Sequence, residues 1–388
     1  MSVGIDEISF YTSNFYLDLR TLAAKQQTDP EKYYTGIGQE KMAMATHDED
    51  IVTMAANAAL PLIERIGTNA ISTLLLATET GIDQSKAAGI YVHRLLGLNA
   101  NCRVVELKQA CYSATAALQM ACALVARQPS TKVLVIASDI ARYDLDTPGE
   151  ATQGCGAVAM LVSHNPRIMA IDAEVGNYTD DVMDFWRPNY RSTALVDGKY
   201  STKIYLKALK KTWDSFSEVS RIGFNDFSYF CYHLPFSRMA QKAHQHLAKS
   251  NQSELSAEGI EAQIQPTLRY NQIIGNSYTA SIYIGLCSLL DNVKENLAGK
   301  KVGFFSYGSG CVAEFFSGSI QEGYQACLHT ERHMNMLAQR QELNYDEYLA
   351  LYRYPDPRQG ESVEIPKATL GRFRLAAIHQ HKREYVVC

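Results

Sequence analysis

Apolar residues in this chain fall into two kinds of run, and their alternation sets the expected architecture. One kind is short and nearly continuous: Val3 to Tyr11, Ala70 to Ala77, Arg103 to Leu107, Lys132 to Ala137 and Gly154 to Val162. Runs of this length, rich in Val, Ile and Leu, mark strands covered on both faces. The other kind repeats at helical spacing: Tyr16 to Gln26, Asp50 to Ile66, Gln84 to Leu96 and Ala114 to Ala126. Asp50 gives the second of these an acidic start. Pro61 inside it predicts a kink or break, because proline lacks the backbone donor and crowds the preceding turn. Asp29 to Gly38, punctuated by Pro and Gly, reads as a loop. Strands alternating with helices predict a mainly parallel sheet.

The same order recurs after residue 225. Phe227 to Tyr232 is a strand ending at His233, Gly275 to Leu286 a helix rich in small residues, and Lys301 to Ser306 a strand. Gly308-Ser309-Gly310-Cys311-Val312-Ala313 resembles Gly154-Cys155-Gly156-Ala157-Val158-Ala159. This long-period repeat predicts a duplicated α/β chain with one half over residues 1–165 and the other over 166–388. Between them Pro166 to Asn225 is aromatic and charged, without the Gly/Ser richness of a flexible linker, and reads as a partly helical insertion near the site.

Composition narrows the class. A chain of 388 residues has room for two or three domains or one large duplicated unit. Its 46% hydrophobic and 20% charged residues are ordinary for a soluble globular protein. A formal charge of −4 supplies no basic field for nucleic acid or an anionic membrane. The first residues lack the charged and apolar regions of a signal peptide, and no apolar run is long enough to span a bilayer. Nine scattered cysteines, with no Cys-x-x-Cys pair, suit a reducing cytoplasm better than a disulfide framework or a zinc knuckle. No phosphate-binding glycine loop is present.

The chemistry centres on Cys111, at a strand-to-helix junction. Unpaired N–H groups and the helix dipole at such a start favour a thiolate. The small residues Ser113 to Ala117 let other backbone approach it closely. Glu79 and His233 each follow another strand-like run. Ligands in open α/β sheets bind beyond the carboxyl ends of the strands, so the three can share one face. A nucleophile, a carboxylate base and an imidazole suit covalent acyl transfer followed by carbon–carbon bond formation. Taken singly, each has a blander reading: a structural thiol, a solvated acid, a core histidine. Their shared position at strand ends favours the chemical one. His244 and His246 lie on a polar helix and are expected in solvent, as are His379 and His381 in a C-terminal strand; neither pair has the company of a metal site.

Eight segments, in order along nearly the whole chain, carry a resemblance: Tyr34 to Met42, Ala77 to Thr80, Lys108 to Thr115, Asp184 to Pro188, Val196 to Lys199, His233 to Phe236, Gly275 to Thr279 and Ser306 to Gly310. In these the sequence resembles the 3-hydroxy-3-methylglutaryl-CoA (HMG-CoA) synthases of the short bacterial type, among the thiolase-like condensing enzymes. The resemblance implies a homodimer of thiolase-like α/β chains, each with two duplicated βαβαβ-type halves in αβαβα layers. It implies condensation of acetyl-CoA with acetoacetyl-CoA in the mevalonate pathway, with no metal or redox cofactor. Cys111 would carry the acetyl group, and Glu79 would deprotonate its methyl. His233 would donate to the ketone of acetoacetyl-CoA, with Asn276 orienting or sharing that oxygen. The Cys111 N–H and an N–H of the Gly308–Gly310 loop would hold the thioester oxygen. Lys32, Ser201, Arg238 and Lys242 would meet CoA, Arg238 standing where the family often has Lys, with Thr152 and Ser309 nearer the acyl group. Tyr143, Asp139 and Asp184 would lie near the site. Two related condensing enzymes are rivals. Ketoacyl carrier-protein synthase III lacks the Glu79 base, whereas a polyketide β-branching synthase shares the triad but takes acyl groups from carrier proteins. A non-catalytic CoA-binding homologue is opposed by the intact Cys/Glu/His set.

Overall fold

The short apolar runs become the strands of one sheet. The computed structural model describes residues 2–354 and 361–388. The strands are β1 (Val3–Tyr11), β2 (Ile71–Ala77), β3 (Arg103–Leu107), β4 (Lys132–Ala141), β5 (Gly154–His164), β6 (Met169–Thr179), β7 (Tyr229–Tyr232), β8 (Lys301–Gly308) and β9 (Val312–Ile320). They form a nine-stranded sheet in the order β7-β8-β9-β6-β1-β5-β4-β2-β3. β2 runs parallel to β3 and β4, and β7 to β8, but the other pairings are antiparallel. The sheet is therefore mixed, not mainly parallel: hairpin connections such as β8–β9 sit between the helix crossovers.

Helices α1 (Ile51–Ile66) and α3 (Ser113–Arg127) both pack on β4 and β5, and α7 (Ser281–Asn292) touches β1 and β5 as well as β7 and β8. The long helix α4 (Gly198–Ser220) covers β6 and β9. α3 and α7 thus lie inside and α1 and α4 outside, the layering that the resemblance implies. Tyr112 and Gln119 tie the start of α3 to the other half, donating to Glu314 on β9 at 2.8 and 2.6 Å.

Several sequence expectations are corrected. Pro166 to Asn225 is no insertion, since it supplies β6, in the middle of the sheet, and α4; the polar residues along β6 hid it. Phe15–Asp18 is a strand paired with Lys41–Met44, and its helix begins only at Leu19, where Asp18 caps the Arg20 N–H. The 29–38 loop contains one helical turn, Glu31–Tyr34. α1 continues through Pro61 without a break, held by burial along most of its length. α2 (Ala88–Leu95) begins four residues beyond Gln84, where the Glu106 carboxylate accepts the Ala88 N–H at 2.7 Å. The expected helix from Gly275 begins at Ser281, after a 3₁₀ turn at Tyr278–Ala280.

That turn starts at a tight backbone crossing. Gly275 closes α6 (Gln265–Ile274) at φ +92°, and a Cβ there would lie 1.9 Å from the Gln153 carbonyl oxygen. Gly275→Ala should lower stability by about 2–4 kcal/mol, from the left-handed φ and the overpacking together. The urea midpoint measures this; a variant as stable as the parent would contradict the crossing.

Candidate active site

β2, β3 and β4 run in parallel, so their carboxyl ends gather on one side. Asp139, near the end of β4, is fully buried. Its carboxylate accepts the Thr78 hydroxyl at 2.8 Å, the Glu79 N–H at 2.9 Å and the Thr80 N–H at 3.0 Å. It also accepts the Thr279 N–H at 3.1 Å and the hydroxyls of Thr80 and Thr279. One side chain thereby joins the loop after β2 to the turn before α7, in the other half of the chain. Arg187 donates to the carbonyl of Glu79 and fixes the same loop from outside.

This frame brings Glu79 to Cys111. The Cys111 Sγ lies 3.0 Å from Glu79 Oε1, and Ala110 enters the turn at φ +44°. Tyr143 and Tyr278 pack with Cys111, and their rings meet Phe185 edge-on at 6.2 and 5.8 Å. Burial, reinforced by the Asp139 charge, pushes the Glu79 carboxyl up to about 8. Burial and the adjacent Glu79 also push the Cys111 thiol well above its ordinary value. The expected thiolate is therefore corrected: the resting group is a thiol, because the loss of hydration and the neighbouring carboxylate outweigh the helix start.

His233 follows β7 and is buried. Its Nδ1 lies 2.9 Å from Ser281 Oγ, and its carbonyl accepts the Tyr205 hydroxyl at 2.8 Å. Burial lowers its pKa to about 3, so the ring is neutral at physiological pH. Asn276 is buried beside Thr152, whose carbonyl accepts its N–H at 3.0 Å. The side-chain oxygen of Asn276 accepts the Tyr278 N–H at 2.8 Å, which leaves its NH₂ group to face outward.

Asp184 is a second buried hub. It accepts the Ser201 hydroxyl at 3.1 Å, the Tyr307 hydroxyl at 2.6 Å and the Gly310 N–H at 2.9 Å. It holds the loop that carries Ser309. The Gly310 N–H is thereby committed, while Gly308 packs against Gln109 and Tyr112, next to Cys111. Thr152 donates its hydroxyl to Gly149 O at 2.7 Å. Lys32 lies in the Glu31–Tyr34 turn; Arg238 and Lys242 are one turn apart on α5 (Ser237–Ser250). The Arg238 N–H donates to Ile37 O at 2.9 Å, drawing these cation-bearing elements together.

The sequence reading missed Arg187, Tyr205, Tyr278 and Ser281. Arg187 and Tyr278 lie inside quoted segments but were not singled out, and nothing in the pattern marks the other two. His244, expected in solvent, is buried with Tyr232 and Gln263 as partners, because the otherwise polar α5 turns that face inward. His381 sits in the turn after Phe373–His379 and is exposed, and His379 pairs with Glu364 at 3.1 Å.

Comparison with known proteins gives a consistent result. The family model for the hydroxymethylglutaryl-coenzyme A synthase N terminal matches residues 1–167, and that for the C terminal matches 169–256 and 243–358. A hydroxymethylglutaryl-CoA synthase of Enterococcus faecalis is 44% identical over 353 residues, 91% of this chain and 92% of that protein. A crystal structure of an HMG-CoA synthase complexed with CoA matches with a TM-score of 0.95 at 39% identity and covers 100% of both chains. A structure in complex with 3-hydroxy-3-methylglutaryl coenzyme A matches at 0.92 and 36%, covering 100% of this chain and 99% of that one.

Glu79 is one cause of the raised Cys111 pKa, so removing its charge should make the thiol more acidic. Glu79→Gln should react with iodoacetamide faster than the parent at the same pH, by about tenfold for each pKa unit recovered. Mass mapping of Cys111 modification against time measures it. An equal or slower rate would show that the carboxyl does not burden the thiol.

Proposed function

As this chain belongs to the hydroxymethylglutaryl-CoA synthase family, we propose that Cys111, Glu79 and His233 carry out its reaction as nucleophile, base and electrophilic donor. The fold is thiolase-like, and the enzyme is an acyltransferase that condenses acetyl-CoA with acetoacetyl-CoA and water to give HMG-CoA and CoA. This is a step of the mevalonate pathway of isoprenoid biosynthesis.

The observation that supports these roles most directly is the 3.0 Å contact between Cys111 and Glu79 beside the aromatic rings packed on Cys111. The Cys111 sulfur attacks the acetyl thioester, and its proton leaves with the departing CoA sulfur. The thioester oxygen is held by the Cys111 N–H and an N–H of the Gly308–Ser309 turn. The carboxylate that met the thiol now meets the acetyl methyl. A base near pH 8 is well matched to a carbon acid, and Glu79 removes a methyl proton to give an enolate. The enolate attacks the ketone of acetoacetyl-CoA, and a neutral His233, with the Asn276 NH₂, donates to the oxygen that becomes the alkoxide. Water then cleaves the thioester to Cys111.

CoA phosphates prefer cations, and Lys32, Arg238 and Lys242 would supply them; the backbone bond from Arg238 N–H to Ile37 O, which ties α5 to the stretch after the Glu31–Tyr34 turn, supports that reading. We place Ser201, Thr152 and Ser309 along the path to the acyl group; the Asp184 and Gly149 bonds of the first two would orient them. No cofactor takes part in this scheme, since thioester exchange and condensation move protons and an acyl group but no electrons. We read the two family-model matches as two duplicated halves, 1–165 and 166–388. We propose a homodimer: β3 is an edge strand with Val105 exposed, and it borders a cavity of about 910 Å³ that also reaches Glu79 and Arg187. A cytoplasmic setting fits nine free cysteines, and no helix among the described residues is long and apolar enough to cross a membrane. The formal charge of −4 supports no nucleic-acid partner.

The half-reactions should separate in variants. Cys111→Ser should lose nearly all activity, and His233→Ala should still be acetylated but condense about 10²–10³-fold more slowly. Glu79→Gln should accumulate acetyl-enzyme and form no HMG-CoA. Trapping labelled acetyl-enzyme and counting product in the same samples measures both steps. If Glu79→Gln loses acetylation as severely as condensation, Glu79 serves Cys111 instead of the carbon acid.

A further inference from the structure

We propose that Ser281 is a positioning residue that fixes which nitrogen of His233 carries the proton. The inference rests on the donor role of His233 stated above. Ser281 Oγ is buried and has two partners among the described residues: His233 Nδ1 at 2.9 Å and the Leu234 N–H at 3.3 Å. A backbone N–H can only donate, so the serine oxygen must accept from Leu234. The single hydroxyl hydrogen then has one acceptor within reach, His233 Nδ1. If Nδ1 carried the proton instead, it would point at the same oxygen, and the serine hydrogen would be buried without a partner. Satisfying every group therefore places the imidazole hydrogen on Nε2.

The surroundings leave the ring little other choice. The His233 N–H donates to Phe305 O at 2.8 Å, and the His233 carbonyl accepts the Tyr205 hydroxyl. Both backbone groups are thus anchored, and Ser281 controls the ring. Burial keeps the imidazole neutral, so it holds one proton, and the location of that proton decides whether Nε2 donates or accepts. A donor at Nε2 stabilises the alkoxide forming from acetoacetyl-CoA. An Nε2 lone pair would face the oxygen's own lone pairs and repel it. Ser281 also opens α7, which is packed against both halves of the sheet, so the hydroxyl is held on a rigid element.

Nitrogen NMR of protein labelled in its histidine rings, with the His233 signals assigned by comparison with His233→Gln, reads the proton directly. The parent should show a protonated Nε2 and an unprotonated, hydrogen-bonded Nδ1. Ser281→Ala should shift the Nδ1 signal and slow condensation roughly 10–100-fold, the usual effect of losing an imidazole's orienting partner. Acetylation of Cys111 should be unchanged, and Ser281→Thr, which keeps the hydroxyl, should recover condensation. A parent carrying the proton on Nδ1, or a Ser281→Ala that condenses at the parental rate, would overturn the inference. If Ser281→Ala does not fold, the parent spectrum alone decides. If the parent makes no HMG-CoA, the proposed function fails while the spectrum still judges Ser281.

Discussion

A carboxylate taken out of water must be met by donors on every side, and Asp139 meets this requirement by drawing on both halves of the chain. Thr78, Glu79 and Thr80 come from the end of β2, and Thr279 comes from the turn before α7. Leaving a buried charge unpaired costs far more than a typical hydrogen bond returns, so these segments cannot separate independently. Burial nonetheless pushes the Asp139 carboxyl up, and the threonine hydroxyls pull it back. The site's geometry follows from this hub. The loop that carries Glu79 is held at its N–H by Asp139 and at its carbonyl by Arg187, which leaves the side chain to reach Cys111.

The same burial sets the chemistry. Glu79 and Cys111 are both made weaker acids by burial; the Glu79 charge adds to the Cys111 shift, while the Cys111 hydrogen bond pulls Glu79 partly back. A thiol that rests protonated is protected from stray electrophiles, and a carboxylate near pH 8 is a stronger base than a solvated one. Burial acts oppositely on His233, making it a weaker base and therefore a neutral donor. Burial thus shifts the three groups in directions set by their charge type, raising the two acids and lowering the imidazole. The second hub, Asp184, holds the Ser309 loop and the start of α4 in place.

Much of this was legible in the sequence. Strand ends located Glu79 and Cys111, because β2 and β3 are parallel and share a carboxyl edge; five antiparallel pairings separate β7 from β2, so that argument does not place His233. What the pattern concealed is equally physical. β6 is a central strand, yet Asp172, Glu174 and Asn177 break its apolar run, so it read as an insertion. The Cys111 shift comes from burial and from a carboxylate 32 residues away in sequence, neither of which a local signal reports. Ser281 and Tyr205 are ordinary helix residues until folding sets them against His233. Motifs pointed to the groups proposed to react, and only the folded chain shows the partners that hold them.

The central claim is that the Asp139 charge both places Glu79 and raises its basicity. The most direct test is the pH dependence of condensation by pre-formed acetyl-enzyme in Asp139→Asn beside the parent. With Glu79 as the proposed base, the condensation rate should rise with pH through the Glu79 pKa, about 8 in the parent. The asparagine variant lacks the negative charge that opposes Glu79 ionisation, so that limb should move to lower pH. It should remain above the ordinary glutamate range, because burial persists. A limb that stays at the parental pH, or moves upward, would contradict the account.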